Sequence, residues 1–129
     1  MNKISLDCIS SNGKLWIVGI PIGNLGDITF RAVEVLRFVD IVAAEDTRRA
    51  TWLLNHFNIQ QKSVSCHQHN VSKRVGRFVT ALAQGKNIAY ITDAGTPGIS
   101  DPGPCLVKEI VAAGFQVIPV PGPSVTLHK

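Results

Sequence analysis

With 129 residues, 45% of them hydrophobic and 17% charged, the chain has the length of one domain and a globular balance that excludes a disordered polyelectrolyte. Its formal net charge of +4 admits a nucleotide or RNA partner without demanding one. Cys8, Cys66 and Cys105 are scattered and form no CxxC pair, which excludes a disulfide frame and fits free thiols, and no apolar run reaches signal-peptide or membrane-span length, so a cytoplasmic location is expected.

Residues 1–13 are polar and end in SSNG, so a loose leader is expected there and the domain over 14–129. Lys14–Ile20 (KLWIVGI) is a continuous apolar run of strand length. A first helix follows, with Asp27 as the expected N-cap and Ile28, Ala32, Val35, Leu36 and Val39 recurring at the 3.6-residue period. DIVAAE (40–45) reads as a second strand, and Ala50, Leu53, Leu54 and Phe57 form the stripe of a second helix. KSVSCH (62–67) is a third, weaker strand. Val71, Val75, Phe78, Val79 and Leu82 mark a third helix, with Gly85 at its C′ position. NIAYIT (87–92) is the fourth strand. Asp101 and Pro102 read as cap and first turn of a fourth helix carrying Leu106, Ile110 and Ala113 and stopping at Gly114. FQVIPV (115–120) is the fifth strand. Five apolar strands alternating with four helices predict an α/β fold: a single three-layer domain with a mainly parallel five-stranded sheet.

In such a sheet ligands bind beyond the carboxyl ends of the strands. The segments that follow the five strands are PIGNLGD, EDTRR, HQHN, DAGTPGISDPG and PGPS, whereas the opposite ends carry plainer turns such as FVD, NIQQK, AQGK and AAGF. Chemistry is therefore expected on one edge.

Several clusters on that edge have alternative readings. Gly23 and Gly26 follow Gly19 as GxxxGxxG, which suits a tight turn or an anion-friendly helix start but is neither GxGxxG nor a GK[ST] loop. Glu45 and Asp46 lie about 20 residues beyond Gly26, where a dinucleotide fold keeps its ribose-binding acid; equally, Asp46 or Thr47 caps the second helix. Cys66, His67 and His69 lack a partner cluster at ligand spacing, so no metal is expected. His67 and His69 share one side if the segment is extended, which suits a substrate-facing role. Lys73, Arg74 and Arg77 line the polar face of the third helix, either solvated or touching a phosphate backbone. In TDAGTPGISDPGP (92–104) the prolines and glycines fix main-chain groups at low entropic cost. Asp101 is expected to cap, and Asp93 to Ile99 to face a ligand.

Taken together, IVGIPIGNLGDITFRAVEVL, DIVAAEDTRR, HQHN, ITDAGTPGISDPG and IPVPGPS closely resemble the tetrapyrrole methylase superfamily, from about Lys14 to Val125, and within it a branch that acts on ribosomal RNA. The resemblance implies 2′-O-methylation of a cytidine in 16S rRNA of the small ribosomal subunit, S-adenosylmethionine as donor, a homodimer, and a donor cleft between two α/β domains. It implies donor-binding roles for Pro21, Ile22, Ala94, Gly95, Thr96, Ile99, Ser124 and Val125. The reacting hydroxyl must be deprotonated or polarised in line with the sulfonium methyl, for which Asp93, Glu45, Asp46 and His67 are the candidates. The chain departs from the family at Gly19–Ile20, where members tend to have Ala-Thr, and at Gln68 and Val71, where they tend to have acids. The second domain of the family is expected to be absent and the half site inactive alone. Two other readings are a non-catalytic binding or assembly module and a Rossmann-like nucleotide-binding enzyme using the first glycine loop and Glu45.

Overall fold

The computed structural model describes residues 12–20, 28–93 and 103–120. Within them the chain alternates as predicted: β1 (Leu15–Ile20), α1 (Phe30–Phe38), β2 (Ile41–Ala44), α2 (Thr47–His56), β3 (Ser63–Ser65), α3 (Val71–Ala83), β4 (Ile88–Asp93), α4 (Gly103–Ala112) and β5 (Val117–Val120). The strands form one sheet in the order β3-β2-β4-β1-β5, and every pairing is parallel.

Period-2 alternation splits the apolar strand residues between two faces. Val18, Ile20, Val42, Ala44, Ala89, Ile91 and Val120 pack with Ala32, Val35 and Leu36 of α1 and Ala50, Leu53 and Leu54 of α2. On the other face Leu15, Ala43, Ile88 and Tyr90 pack with Val71, Phe78, Ala81 and Leu82 of α3 and Leu106 and Ile110 of α4. Topology explains the division. From β1 through β2 to β3 the chain steps across the sheet in one direction, then reverses to place β4 and β5. Right-handed crossovers require a reversal of direction to change face, so α1 and α2 cover one side and α3 and α4 the other.

The helix ends follow local chemistry. Thr29, not Asp27, caps α1: its hydroxyl accepts from the Ala32 N–H at 3.1 Å, while Asp27 lies outside the described residues. Ile28 at N′ and Val33 at N4 pack against the same cluster, in the positions of a hydrophobic staple. Three helices close with paired main-chain bonds around a residue of positive φ. After α3 Gly85 (φ 86) donates to Leu82 and Lys86 to Ala81; after α4 Gly114 (φ 93) donates to Val111 and Phe115 to Ile110. After α2 the same role falls to Asn58 (φ 57), with Ile59 donating to Leu54. Ala113, expected on the buried stripe of α4, is exposed because it lies in that closing turn.

The edge that the sequence presents as plain turns carries a polar clamp. Asn87 Oδ1 accepts from the Lys14 N–H at 3.0 Å and from the Trp16 indole at 3.1 Å. The Asn87 N–H donates to Asp40 Oδ2 at 2.8 Å, and its carbonyl accepts from Asp40 and Ile41. One residue, through its side chain and its main chain, thus ties the starts of β1, β2 and β4 together. Gly13, the last residue of the expected leader, is buried and donates to Leu82 at 2.9 Å.

Candidate active-site edge

Parallel pairing brings all the strand carboxyl ends to one edge, and register fixes who stands beside whom. Ile20 pairs with Asp93 and Val18 with Val120, while Ala44 pairs with Ile91 on one side and Ser65 on the other. β4 is flanked by β2 and β1, both of which lead to helices on one face, while β4 itself leads to α4 on the opposite face. Neighbouring strands whose connections diverge in this way leave a crevice, and its centre is the end of β4 at Asp93.

The order of strands also corrects one reading. A dinucleotide site needs the acid after β2 beside the glycine turn after β1. Here β4 lies between them, so Glu45 is separated from the end of β1 by two strand spacings, about 10 Å. The Rossmann-like alternative does not fit this sheet.

Of the four candidate bases, three have described side chains. Glu45 is exposed just past β2. Asp46 is the N-cap of α2: its Oδ1 accepts from the Arg48 N–H at 3.0 Å, with the Arg48 guanidinium 3.5 Å away. The Arg48 N–H, assisted by that charge, holds the Asp46 carboxyl below the ordinary carboxylate range. A carboxylate whose ionised form is stabilised in this way is a weaker proton acceptor. His67 follows β3 in a turn rather than an extended segment, because Asn70 Oδ1 accepts from the His67 N–H at 2.8 Å and folds the chain back. The Asp93 backbone ends β4 at the centre of the edge. Its side chain, together with Pro21, Ile22, Ala94, Gly95, Thr96, Ile99, Ser124 and Val125, lies outside the described residues, as do Gly23, Gly26, Asp101 and Pro102.

The electrostatics of this edge is biased toward anions. All four helices begin here, because each follows a strand end, and a helix N-terminus carries a partial positive charge. None of the four has an acid in its first turn. Arg31 in α1, Arg48 and Arg49 in α2 and Lys73 in α3 occupy those turns instead. Each such placement opposes the dipole by about 0.3–1 kcal/mol, offset in part by Asp46 beside Arg48 and by the Trp16 ring beneath Arg31. Arg31 lies 5.9 Å over the Trp16 ring, and Arg48 is almost fully exposed. Sequence reasoning singled out Lys73, Arg74 and Arg77 but passed over Arg31, Arg48 and Arg49. The clue was available: Arg48 and Arg49 stand two and three residues past a helix-capping Asp.

Arg74 plays a different part from its neighbours. It turns inward, donating to the Ser65 carbonyl at 2.7 Å and to Ser65 Oγ at 3.3 Å, and so fixes the end of β3. Lys73 and Arg77 are exposed. Cys66, next to Ser65 in the chain, is fully buried. Burial pushes its thiol from 9.0 up to about 11, with the Arg74 charge pulling partly the other way. Its unfolded form ionises first, so this thiol favours folding below pH 9 and loses that contribution as pH rises toward 11. Urea titrations should therefore show stability falling from pH 9 to 11 more steeply in the wild type than in Cys66→Ala; parallel curves would contradict this.

Among the described residues no group of three or more His, Cys, Asp or Glu could hold a metal ion, and no helix is long and apolar enough to cross a membrane. A groove of about 390 Å3 lined by Asn55, Asn58, Ile59, Gln60, Gln61 and Lys62 lies between α2 and β3 on the opposite edge. It holds no acid, thiol or imidazole and offers no comparable chemistry.

Comparison with known proteins agrees with this fold. The family Tetrapyrrole (Corrin/Porphyrin) Methylases matches residues 14–127. The chain belongs to the tetrapyrrole methylase family. Relatives named ribosomal RNA small subunit methyltransferase I include that of Pseudomonas aeruginosa, 52% identical over 87% of this chain and 40% of the relative. That of Escherichia coli O157:H7 is 50% identical over 88% and 40%, and that of Synechocystis 53% over 85% and 39%. The present tetrapyrrole methylase thus spans about 40% of the length of these relatives. Among solved structures, a uroporphyrin-III-C-methyltransferase from Thermus thermophilus superposes with a TM-score of 0.65 at 19% identity, over 85% of this chain and 47% of that one. The tetrapyrrole methylase fold accounts for the crevice beside β4.

Proposed function

We propose that this tetrapyrrole methylase chain supplies the N-terminal domain of an S-adenosylmethionine-dependent methyltransferase. Its substrate is the 2′-hydroxyl of a cytidine in 16S rRNA of the small ribosomal subunit. The name of the relatives at about 50% identity supports the substrate class. The observation that carries the reading on this chain is the edge itself, where four helix N-termini and the exposed first-turn cations Arg48 and Lys73 stand beside a strand-end crevice. A polyanion is the partner that such an edge favours.

An adenosyl donor combines an apolar ring system with a charged amino-acid end, and the helix N-termini on this edge suit the carboxylate of that end. The strand ends are apolar at Ile20, Ala44, Ile91 and Val120, which pack beneath α1 and α2, and helix N-termini lie beside them. The residues that would hold the donor are Pro21 and Ile22 after β1, Ala94, Gly95, Thr96 and Ile99 after β4, and Ser124 and Val125 after β5. Bound there, the donor supplies an electrophilic methyl on sulfonium. With Asp46 committed to its cap, Asp93 and Glu45 are the carboxylates to which we assign the 2′-hydroxyl proton. A cytoplasmic location and a homodimer belong to the same reading.

Salt-dependent RNA binding tests it. Each phosphate contact contributes about 0.7 to the slope of log affinity against log salt for single strands. Arg48→Gln combined with Lys73→Gln should weaken binding of oligocytidylate RNA and flatten that slope by about 1.4. An unchanged slope would return both residues to plain solvation, and methyl transfer to small ribosomal subunits is what separates the enzyme from a non-catalytic module.

A further inference from the structure

The HQHN segment is more highly constrained than an exposed connector requires. The His67 N–H donates to Asn70 Oδ1 at 2.8 Å, and the His67 carbonyl accepts from the Asn70 N–H at 3.0 Å and the Val71 N–H at 2.9 Å. Asn70 is anchored in turn, its Nδ2 donating to Ser65 Oγ at 3.1 Å and to the Ser65 carbonyl at 3.4 Å. Arg74 grips the same serine. On this rigid base the imidazole is also fixed: His67 Nδ1 accepts from the His69 N–H at 3.2 Å, and the two rings meet edge to face with centroids 5.8 Å apart.

An amide N–H can only donate, so Nδ1 must present its lone pair. A neutral imidazole has one lone pair and one N–H, and the proton therefore sits on Nε2. The single acceptor site of the ring is already occupied, which leaves nothing to receive a proton from a substrate hydroxyl. The Nε2–H has no acceptor among the described residues, and the side chain is only half-buried. His67 stands two residues past the Ser65–Ala44 pair, and the Cys66 N–H continues that ladder to Ala44 at 2.9 Å, so the donor lies on the cationic edge.

We infer that His67 is not the base but a hydrogen-bond donor, presenting Nε2–H to a phosphate oxygen of the bound RNA. The RNA partner in this inference rests on the proposed function; the tautomer does not. Each part has its own measurement. At about pH 8, where an ordinary histidine is neutral, 15N-resolved imidazole spectra of the chain should show His67 as the Nε2–H tautomer. An Nδ1–H pattern would overturn the inference. Binding of oligocytidylate RNA, followed by fluorescence anisotropy on folded variants, reads the donor role. His67→Gln places an amide N–H where Nε2 was and should keep affinity within about 3-fold, while His67→Asn reaches only as far as Nδ1 and should lose about 10-fold. Equal losses in both variants would refute the donor role. Failure of the wild-type chain to bind this RNA would count against the proposed function, with the spectra still deciding the tautomer.

Discussion

Phe78→Ala should remove about 3–5 kcal/mol of folding stability, the largest loss expected from any single truncation in this chain. Phe78 is among the largest fully buried side chains and lies in the middle of α3, where it joins Ile88 and Tyr90 of the sheet to Leu106 and Ile110 of α4. Truncation removes the ring and leaves a void walled by β4, the central strand, and by a helix that cannot sink to fill it while its closing turn at Gly85 stays bonded. Domains of this size have only about 5–15 kcal/mol in total, so the variant should populate unfolded chains under mild conditions. Urea titration followed by circular dichroism checks it: the midpoint should fall sharply with an unchanged slope. A loss below about 1 kcal/mol would mean that α3 closes on the sheet without this side chain.

Gly13→Ala should be nearly as damaging, for a reason that concerns space rather than apolar contact. A Cβ at position 13 would lie 1.7 Å from the Lys86 carbonyl oxygen and 2.4 Å from its carbon. Those are backbone atoms in the turn that ends α3, and Lys86 is itself bonded to Ala81. Relief requires either the turn to open or the Gly13 bond to Leu82 to break. Overpacking of this kind costs about 1–3 kcal/mol, occasionally more, and direct backbone overlap belongs at the upper end. Thermal denaturation measures it, with Asn12→Ala at the exposed neighbouring position as a control of ordinary surface cost. Because Gly13 lies on the edge opposite the crevice, the folded fraction of Gly13→Ala should bind RNA with normal affinity. Equal stability of Gly13→Ala and wild type would show that the segment before β1 detaches freely.

Both predictions depend on features of differing visibility in the sequence. Phe78 stands on a clean 3.6-residue stripe, as do Leu53, Leu54 and Ile110, and periodicity reports such positions because burial drives it. Gly85 and Gly114 were equally legible, since a left-handed helix exit favours glycine. Asn58 at the end of α2 was not, because asparagine fills many other roles. Gly13 was hidden for a similar reason: its requirement comes from the carbonyl of Lys86, far along the chain. The Asn87 clamp is likewise non-local, and composition made its edge look plain. On the site edge, spacing located the right segments but could not apportion roles within them. Asp46 as cap, Arg74 as anchor of β3 and His67 as a turn residue all depend on hydrogen bonds that pattern does not encode.

The strand order has a consequence for how the protein comes to be made. β1 pairs only with β4 and β5, and β2 only with β3 and β4. A nascent chain that has not yet reached Ile88 therefore holds a two-stranded β2–β3 ribbon and a solitary, strongly apolar β1, with nothing to join them. Two parallel strands are too few for independent stability, and contacts of such sequence separation form slowly. Arrival of β4 joins the two parts at once, pairing with β1 along Ile88–Asp93 and with β2 along Ile88–Ile91. The residues that begin the crevice are thus the last ones of the strand whose insertion makes the sheet, and on the ribosome the site edge and the core come into being together.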